Sequence, residues 1–272
     1  MSKIAKPSDT IVLVAGHGSS STPETADSVH EHVANLTARG RFRHVASGFL
    51  KQAPFLSDRL AALDAEKIII VPFMTSNGYV TTNLMPKALG PAMDDPRVSF
   101  TDAIGTHPMI AQAVGAQVTS HLFGANVAPV DAHLLMIGHG TRRNPTNEQT
   151  TRKFMSNVQT HLPKGVTADV AFLEHAPLLS NWATRTDRRT IFAVPFLMAG
   201  GEHGRVDVPE GLGLNPNSAC VAPLLHGAAS IGPCTLQGRK VWLMRAIGFD
   251  PVMSDAIEDR ALQALAAESV AA

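Results

Sequence analysis

Three side chains in the second half of the chain are of the types that bind first-row divalent metals and move protons. They are His139 in LLMIGHG, Glu174 in AFLEHAP and His203 in VPFLMAGGEHGRVDVPE. Imidazole nitrogens suit iron, cobalt, nickel and zinc, and a carboxylate adds compensating charge. The set has no thiolate, which points away from a permanent tetrahedral zinc and towards an open, exchangeable site. Neutral imidazole also titrates near physiological pH, so the same groups can accept protons. Each residue also has a structural reading of its own. His139 could cap a helix, Glu174 could be a surface carboxylate, and Asp207 could belong to the helix start at Val208-Pro209. His175, one residue after Glu174, should point away if its strand continues through it.

What can bring the three together is set by the elements that carry them. Each follows an apolar run, at 133–138, 167–173 and 190–196, that reads as a strand buried on both faces. Helical segments at 146–161 and 177–184 separate the runs. Strands alternating with helices imply parallel sheets with right-handed crossovers, and such sheets carry functional groups beyond the carboxyl ends of their strands. The three residues are therefore expected on one rim of one sheet.

The first half repeats this arrangement. His17, Lys51, Val80, Leu84 and Pro86 correspond to His139, Glu174, His203, Asp207 and Pro209 at a nearly constant offset, in the same order. Such self-similarity marks a tandem duplication of a unit of ordinary domain size. The first unit predicts strands at Ile11–Ala15, Val45–Leu50, Lys67–Pro72 and 97–103. Its helices are expected at 22–39, 55–63 and 108–122, with Gly40 stopping the first. The expected fold is α/β: two tandem pseudo-symmetric doubly wound domains with central parallel sheets and an active cleft between them. The domains are placed at 1–128 and 129–272. VWLMRAIGF and the tail SDAIEDRALQALAAESV are expected to supply a closing helix. In the first half an ammonium (Lys51) and two aliphatic side chains (Val80, Leu84) replace the ligands, so only the second half is armed.

Composition narrows the function classes. With 23 basic and 23 acidic residues and no basic run, a nucleic-acid partner is not expected. No apolar run approaches the roughly 18 residues of a membrane helix, and the amino terminus enters a strand without a signal-peptide core, so a cytoplasmic protein is expected. Cys220 and Cys234 form neither a disulfide framework nor a CxxC site and read as ordinary thiols. No G-x-x-x-x-G-K-[ST] loop is present, which disfavours an ATP-driven enzyme, and GLGLNP reads as a turn.

The segments LLMIGHGTRRNP, AFLEHAP and VPFLMAGGEHGRVDVPE resemble the three signature segments of the sirohydrochlorin chelatase family. These are the class II tetrapyrrole chelatases, which insert cobalt or iron without ATP. The resemblance covers nearly the whole chain, because the long members of that family are themselves duplications. It implies that His139 and His203 bind the metal and handle the pyrrole protons, with Glu174 as the nearby carboxylate. It further implies substrate contacts from Arg142, Arg205, Gly140, Gly201 and His17, the arginines meeting the carboxylates of a tetrapyrrole, and Asp207 orienting His203. No permanently bound cofactor is implied; Co2+ or Fe2+ is the substrate metal, a small tetrapyrrole the partner, and a monomer suffices. A non-catalytic tetrapyrrole or metal carrier and a metal-dependent hydrolase are the competing readings.

Overall fold

A computed structural model describes residues 6–140 and 146–271. In chain order the elements are β1 (Thr10–Gly16), α1 (Asp27–Arg39), β2 (His44–Phe49), α2 (Leu56–Ala61), β3 (Lys67–Pro72), α3 (Met85–Leu89), β4 (Val98–Phe100) and α4 (Pro108–Gly124). There follow β5 (Ala132–Gly138), α5 (Thr146–Gln159), β6 (Thr167–Phe172), β7 (Thr190–Pro195), α6 (Val208–Leu212), α7 (Ala222–Leu225), β8 (Ser230–Leu236), β9 (Arg239–Met244) and α8 (Val252–Ala271).

The first sheet runs β2-β1-β3-β4 and is parallel throughout. β1 and β3 are buried at every position, as apolar runs covered by helices on both faces must be. One face, with Ile11, Leu13, Ile68 and Ile70, packs against Leu56 and Leu60 of α2 and Met85 and Leu89 of α3. α1 lies on the other face, and Gly40 ends it in the left-handed conformation, φ 63°.

The second sheet runs β6-β5-β7-β9-β8. Its first four strands are parallel and repeat the order of the first sheet, whereas β8 pairs antiparallel with β9. This corrects the sequence expectation in two places. The VWLM of VWLMRAIGF is strand, not helix, with Ile247–Phe249 following as a 3-10 turn. The segment expected as helix at 177–184 is likewise a 3-10 turn, Leu179–Thr184, which buries Leu179 and Trp182. Trp182 stands in a cluster with Leu135, Ile137, Ile191 and Val241, each such buried side chain contributing about 1.5–3 kcal/mol.

The repeat and the compact units do not cut the chain at the same places. One unit comprises residues 1–107 and 251–272, the other 108–250. α4 therefore follows β4 in the chain but belongs to the second unit, where His121 Nε2 meets Ser230 Oγ at 2.7 Å. α8 follows β9 but belongs to the first. There Ser254 meets the buried His32 at 2.9 Å, Asp259 meets His107 at 2.9 Å, and Glu268 meets the buried Lys67 ammonium at 2.5 Å.

Candidate functional site

The carboxyl ends of β5, β6 and β7 build the site of the second unit. β5 ends in Gly138 and releases His139. The loop after β6 folds back over this exit, with the Leu173 N–H donating to the carbonyls of Gly138 and His139 and the Glu174 N–H to that of His139. The Phe172 N–H donates to the Pro177 carbonyl at 2.8 Å and closes a short loop that displays Glu174. These crossings explain the glycines of the GHG motif. A Cβ on Gly138 would lie 2.9 Å from the Phe172 ring, and Gly140 is left-handed, φ 70°. Neither position tolerates a side chain without displacing its neighbours.

His203 is placed by a π turn, His203–Asp207, in which the Val208 N–H donates to the His203 carbonyl five residues back. Such widened turns bring residues i and i+4 nearly into line and recur at functional sites. Here the alignment sets the His203 Nδ1–H on the Asp207 carboxylate at 2.5 Å. His139 Nδ1 lies 2.6 Å from the Gly140 carbonyl. Because a carbonyl only accepts, His139 carries its proton on Nδ1 when neutral, and Asp207 imposes the same tautomer on His203. Both Nε2 lone pairs then face each other, 2.9 Å apart, with the Glu174 carboxylate 3.5 Å from His139 Nε2. Two lone pairs at this distance repel unless a cation, a proton or a metal, sits with them. The imidazole planes cross at 87°, and the side chains are 32 % and 46 % exposed, so the pair is open to solvent.

The structure thus brings His139, His203 and Glu174 together as the rim argument requires. Among the described residues no three His, Cys, Asp or Glu side chains stand as a ready-made metal cage; the site offers two preset nitrogens and an adjacent exposed carboxylate. Gly140 gives its N–H to Asn147 Oδ1 at 3.2 Å, so it supplies space to the site, not a free donor. Gly201 is buried, and its carbonyl accepts the Arg205 N–H at 3.0 Å. Arg205 is exposed on the π turn, and Asp207, its nearest acid in sequence, is engaged by His203. Arg142 lies outside the described residues.

His175 departs from expectation. β6 ends at Phe172, so strand alternation no longer governs it, and its ring packs on Phe172 with a centroid separation of 4.4 Å. It also presses on Gly140, where a Cβ would stand 2.9 Å from His175 Cδ2. The sequence held no signal for this contact, nor for Asn147.

The first unit keeps the same scaffold, with Lys51, Val80 and Leu84 where the second has Glu174, His203 and Asp207. Leu50 and Lys51 donate to His17 as Leu173 and Glu174 do to His139, and His17 Nδ1 sits 2.8 Å from the Gly18 carbonyl. A second π turn, Val80–Leu84, stands where His203–Asp207 does.

A model of the CbiX family matches residues 11–121 and again 133–264. The chain belongs to that family, the sirohydrochlorin chelatases. A probable sirohydrochlorin cobaltochelatase of Halobacterium salinarum is 24% identical over 277 residues, spanning 93% of this chain and 91% of its own. SirB from Bacillus subtilis, solved with Fe3+, superposes with a TM-score of 0.69 at 19% identity, over 96% of this chain and 97% of its own. DR2241 of Deinococcus radiodurans, a multi-domain protein structurally similar to chelatases, gives 0.71 at 23% identity over 93% of this chain. This chain spans only 55% of that longer protein. This chain's fold, two α/β units with parallel-dominated sheets, is thus the fold of these solved chelatase-like structures. No helix among the described residues is long and apolar enough to cross a membrane.

Proposed function

We propose that the protein inserts Co2+ or Fe2+ into sirohydrochlorin without ATP, serving cobalamin or sirohaem synthesis respectively. The observation that carries this reading is the pair of Nε2 lone pairs of His139 and His203, fixed by the Gly140 carbonyl and Asp207 and facing each other at 2.9 Å beside Glu174. A free-base tetrapyrrole gives up two pyrrole N–H protons as a divalent cation enters. A site for that exchange needs a loosely held metal and neutral acceptors next to it. Two imidazoles and one carboxylate, exposed and short of a full cage, bind a cation without trapping it. Once the metal passes to the macrocycle, the same lone pairs and the Glu174 carboxylate are free to take the released protons.

In this reading Arg205 and Arg142 meet carboxylates of the substrate, where guanidinium forks match carboxylate geometry. Gly140 and Gly201 keep the exit loops narrow enough for close approach of the ring. The second half is the armed one and the first the degenerate one; His17, held by the Gly18 carbonyl in a repeat that has Val80 at the position of His203, contributes surface and no metal ligand. The protein acts as a monomer, which size-exclusion chromatography with light scattering would check.

The test is anaerobic incubation of sirohydrochlorin with Co2+ or Fe2+, followed by absorbance. We expect acceleration over the spontaneous rate with at least one metal, lost in His139→Ala and His203→Ala and kept in His17→Ala. No acceleration with either metal overturns the proposal. Tight tetrapyrrole or metal binding without turnover would leave the carrier reading in its place.

A further inference from the structure

Cys220 and Cys234 sit on separately anchored elements. Cys220 occupies the turns between α6 and α7 and is exposed; the next residue, Val221, is buried in the core of the second unit. Cys234 lies on β8, the edge strand, beyond a register shift that begins at Ile231, and packs against the same core. Their sulfur atoms are 2.7 Å apart, and both are free thiols. Two cysteines can be bridged only where their side chains already converge, and here the two sulfurs meet.

The pair is no part of the rim site. Cys234 is in register with Val241, Val241 with Ile191, and Ile191 with His133. The thiols are thus level with the start of β5, whereas His139 follows its end, six residues or roughly 20 Å further along the strand direction.

We propose that Cys220 and Cys234 form a reversible intrachain disulfide by exchange with a small-molecule disulfide such as oxidised glutathione. The exposed Cys220, as thiolate, attacks one sulfur of the small disulfide; the mixed disulfide forms and one glutathione thiolate leaves. Cys234 then gives its proton to solvent and attacks Cys220 Sγ, expelling the second glutathione. The chain loses two electrons and two protons, and one small disulfide becomes two thiols. The order of attack follows from the surroundings. Burial, then the hydrogen bond and charge of Cys220, push the Cys234 thiol up to about 11. Capping Cys220 removes the last two of these causes and so readies Cys234 for the second step. In a reducing compartment the pair stays open, and it closes when the small-thiol pool is oxidised. Closure ties the chain leaving α6 to the edge of the sheet.

The experiment uses the full chain, reduced and desalted, then incubated with oxidised glutathione and alkylated with iodoacetamide before intact and peptide mass analysis. We expect one intrachain Cys220–Cys234 cross-link, a loss of two hydrogens, no alkylation, and full reversal by dithiothreitol. Cys234→Ser should instead retain one glutathione on the exposed Cys220, and Cys220→Ser, left with the half-buried Cys234 alone, should react far more slowly. Two alkylated thiols, two glutathione adducts on the wild type, or disulfide-linked dimers would each overturn the proposal. None of these outcomes depends on chelatase activity.

Discussion

Asp207→Asn isolates one interaction of the site. The substitution keeps the shape of the side chain and removes the charge that holds the His203 Nδ1 proton at 2.5 Å. An asparagine amide can also turn its NH2 towards Nδ1, which moves the imidazole proton to Nε2 and blocks the atom that faces His139. Removing a carboxylate behind a metal-binding imidazole costs about 10–100-fold in affinity, or about 1.4–2.7 kcal/mol. The His203 and Asp207 side chains are 46 % and 38 % exposed, so solvent screening places the expected loss near the lower bound, about tenfold. The same exposure limits the effect on folding to less than about 1 kcal/mol. The assay is an anaerobic Co2+ titration followed by visible absorption and by calorimetry, at fixed pH and salt. Asp95→Asn serves as the control, because it removes the same charge from an exposed pair with Arg97 on the first unit. Cobalt affinity within twofold of wild type in Asp207→Asn, or an equal loss in Asp95→Asn, would refute the reasoning.

Three further outcomes are expected. Introducing Lys51→Glu, Val80→His and Leu84→Asp together should raise the Co2+ stoichiometry from one to two, because His17 is already held by the Gly18 carbonyl and the π turn is already formed; calorimetry reads it. Gly140→Ala places a methyl 2.8 Å from Phe172 Cβ on a left-handed backbone and should cost about 1–3 kcal/mol in urea unfolding. Burial above all pushes His133 down to about 4, so it stays neutral in the folded chain. Its contribution is whole above the unfolded value near 6.5 and is lost as pH falls towards 4, about 3 kcal/mol over that window. Unfolding curves of His133→Gln should be correspondingly flatter across it.

The rim was legible because its cause is local. Runs such as Lys67–Pro72 and Thr190–Pro195 are apolar at nearly every position, which only a strand covered on both faces requires. Their ends then locate His139, Glu174 and His203. The β8–β9 hairpin was not legible in the same way. Gly232-Pro233 interrupts SIGPCTL, and a proline inside a run argues against a strand unless that strand is an edge, as β8 is. His175 was read by alternation, which fails because β6 stops at Phe172. The π turns carry no residue signature at all; a hydrogen bond to the fifth residue leaves the sequence looking like an ordinary helix start.

The helix assignments bear on how such a chain can be divided. A protein made by copying one unit twice ought to be separable at the seam between the copies. Here residues 108–124 and 251–271 are each claimed by the unit that did not precede them. A gene cut at codon 128 would encode a first fragment without the helix that supplies partners to Lys67, His107 and His32, and with a helix that belongs elsewhere. Duplication made two copies, but the exchange of their last helices turned them into a single heritable object, in which neither half encodes the whole of its own compact unit.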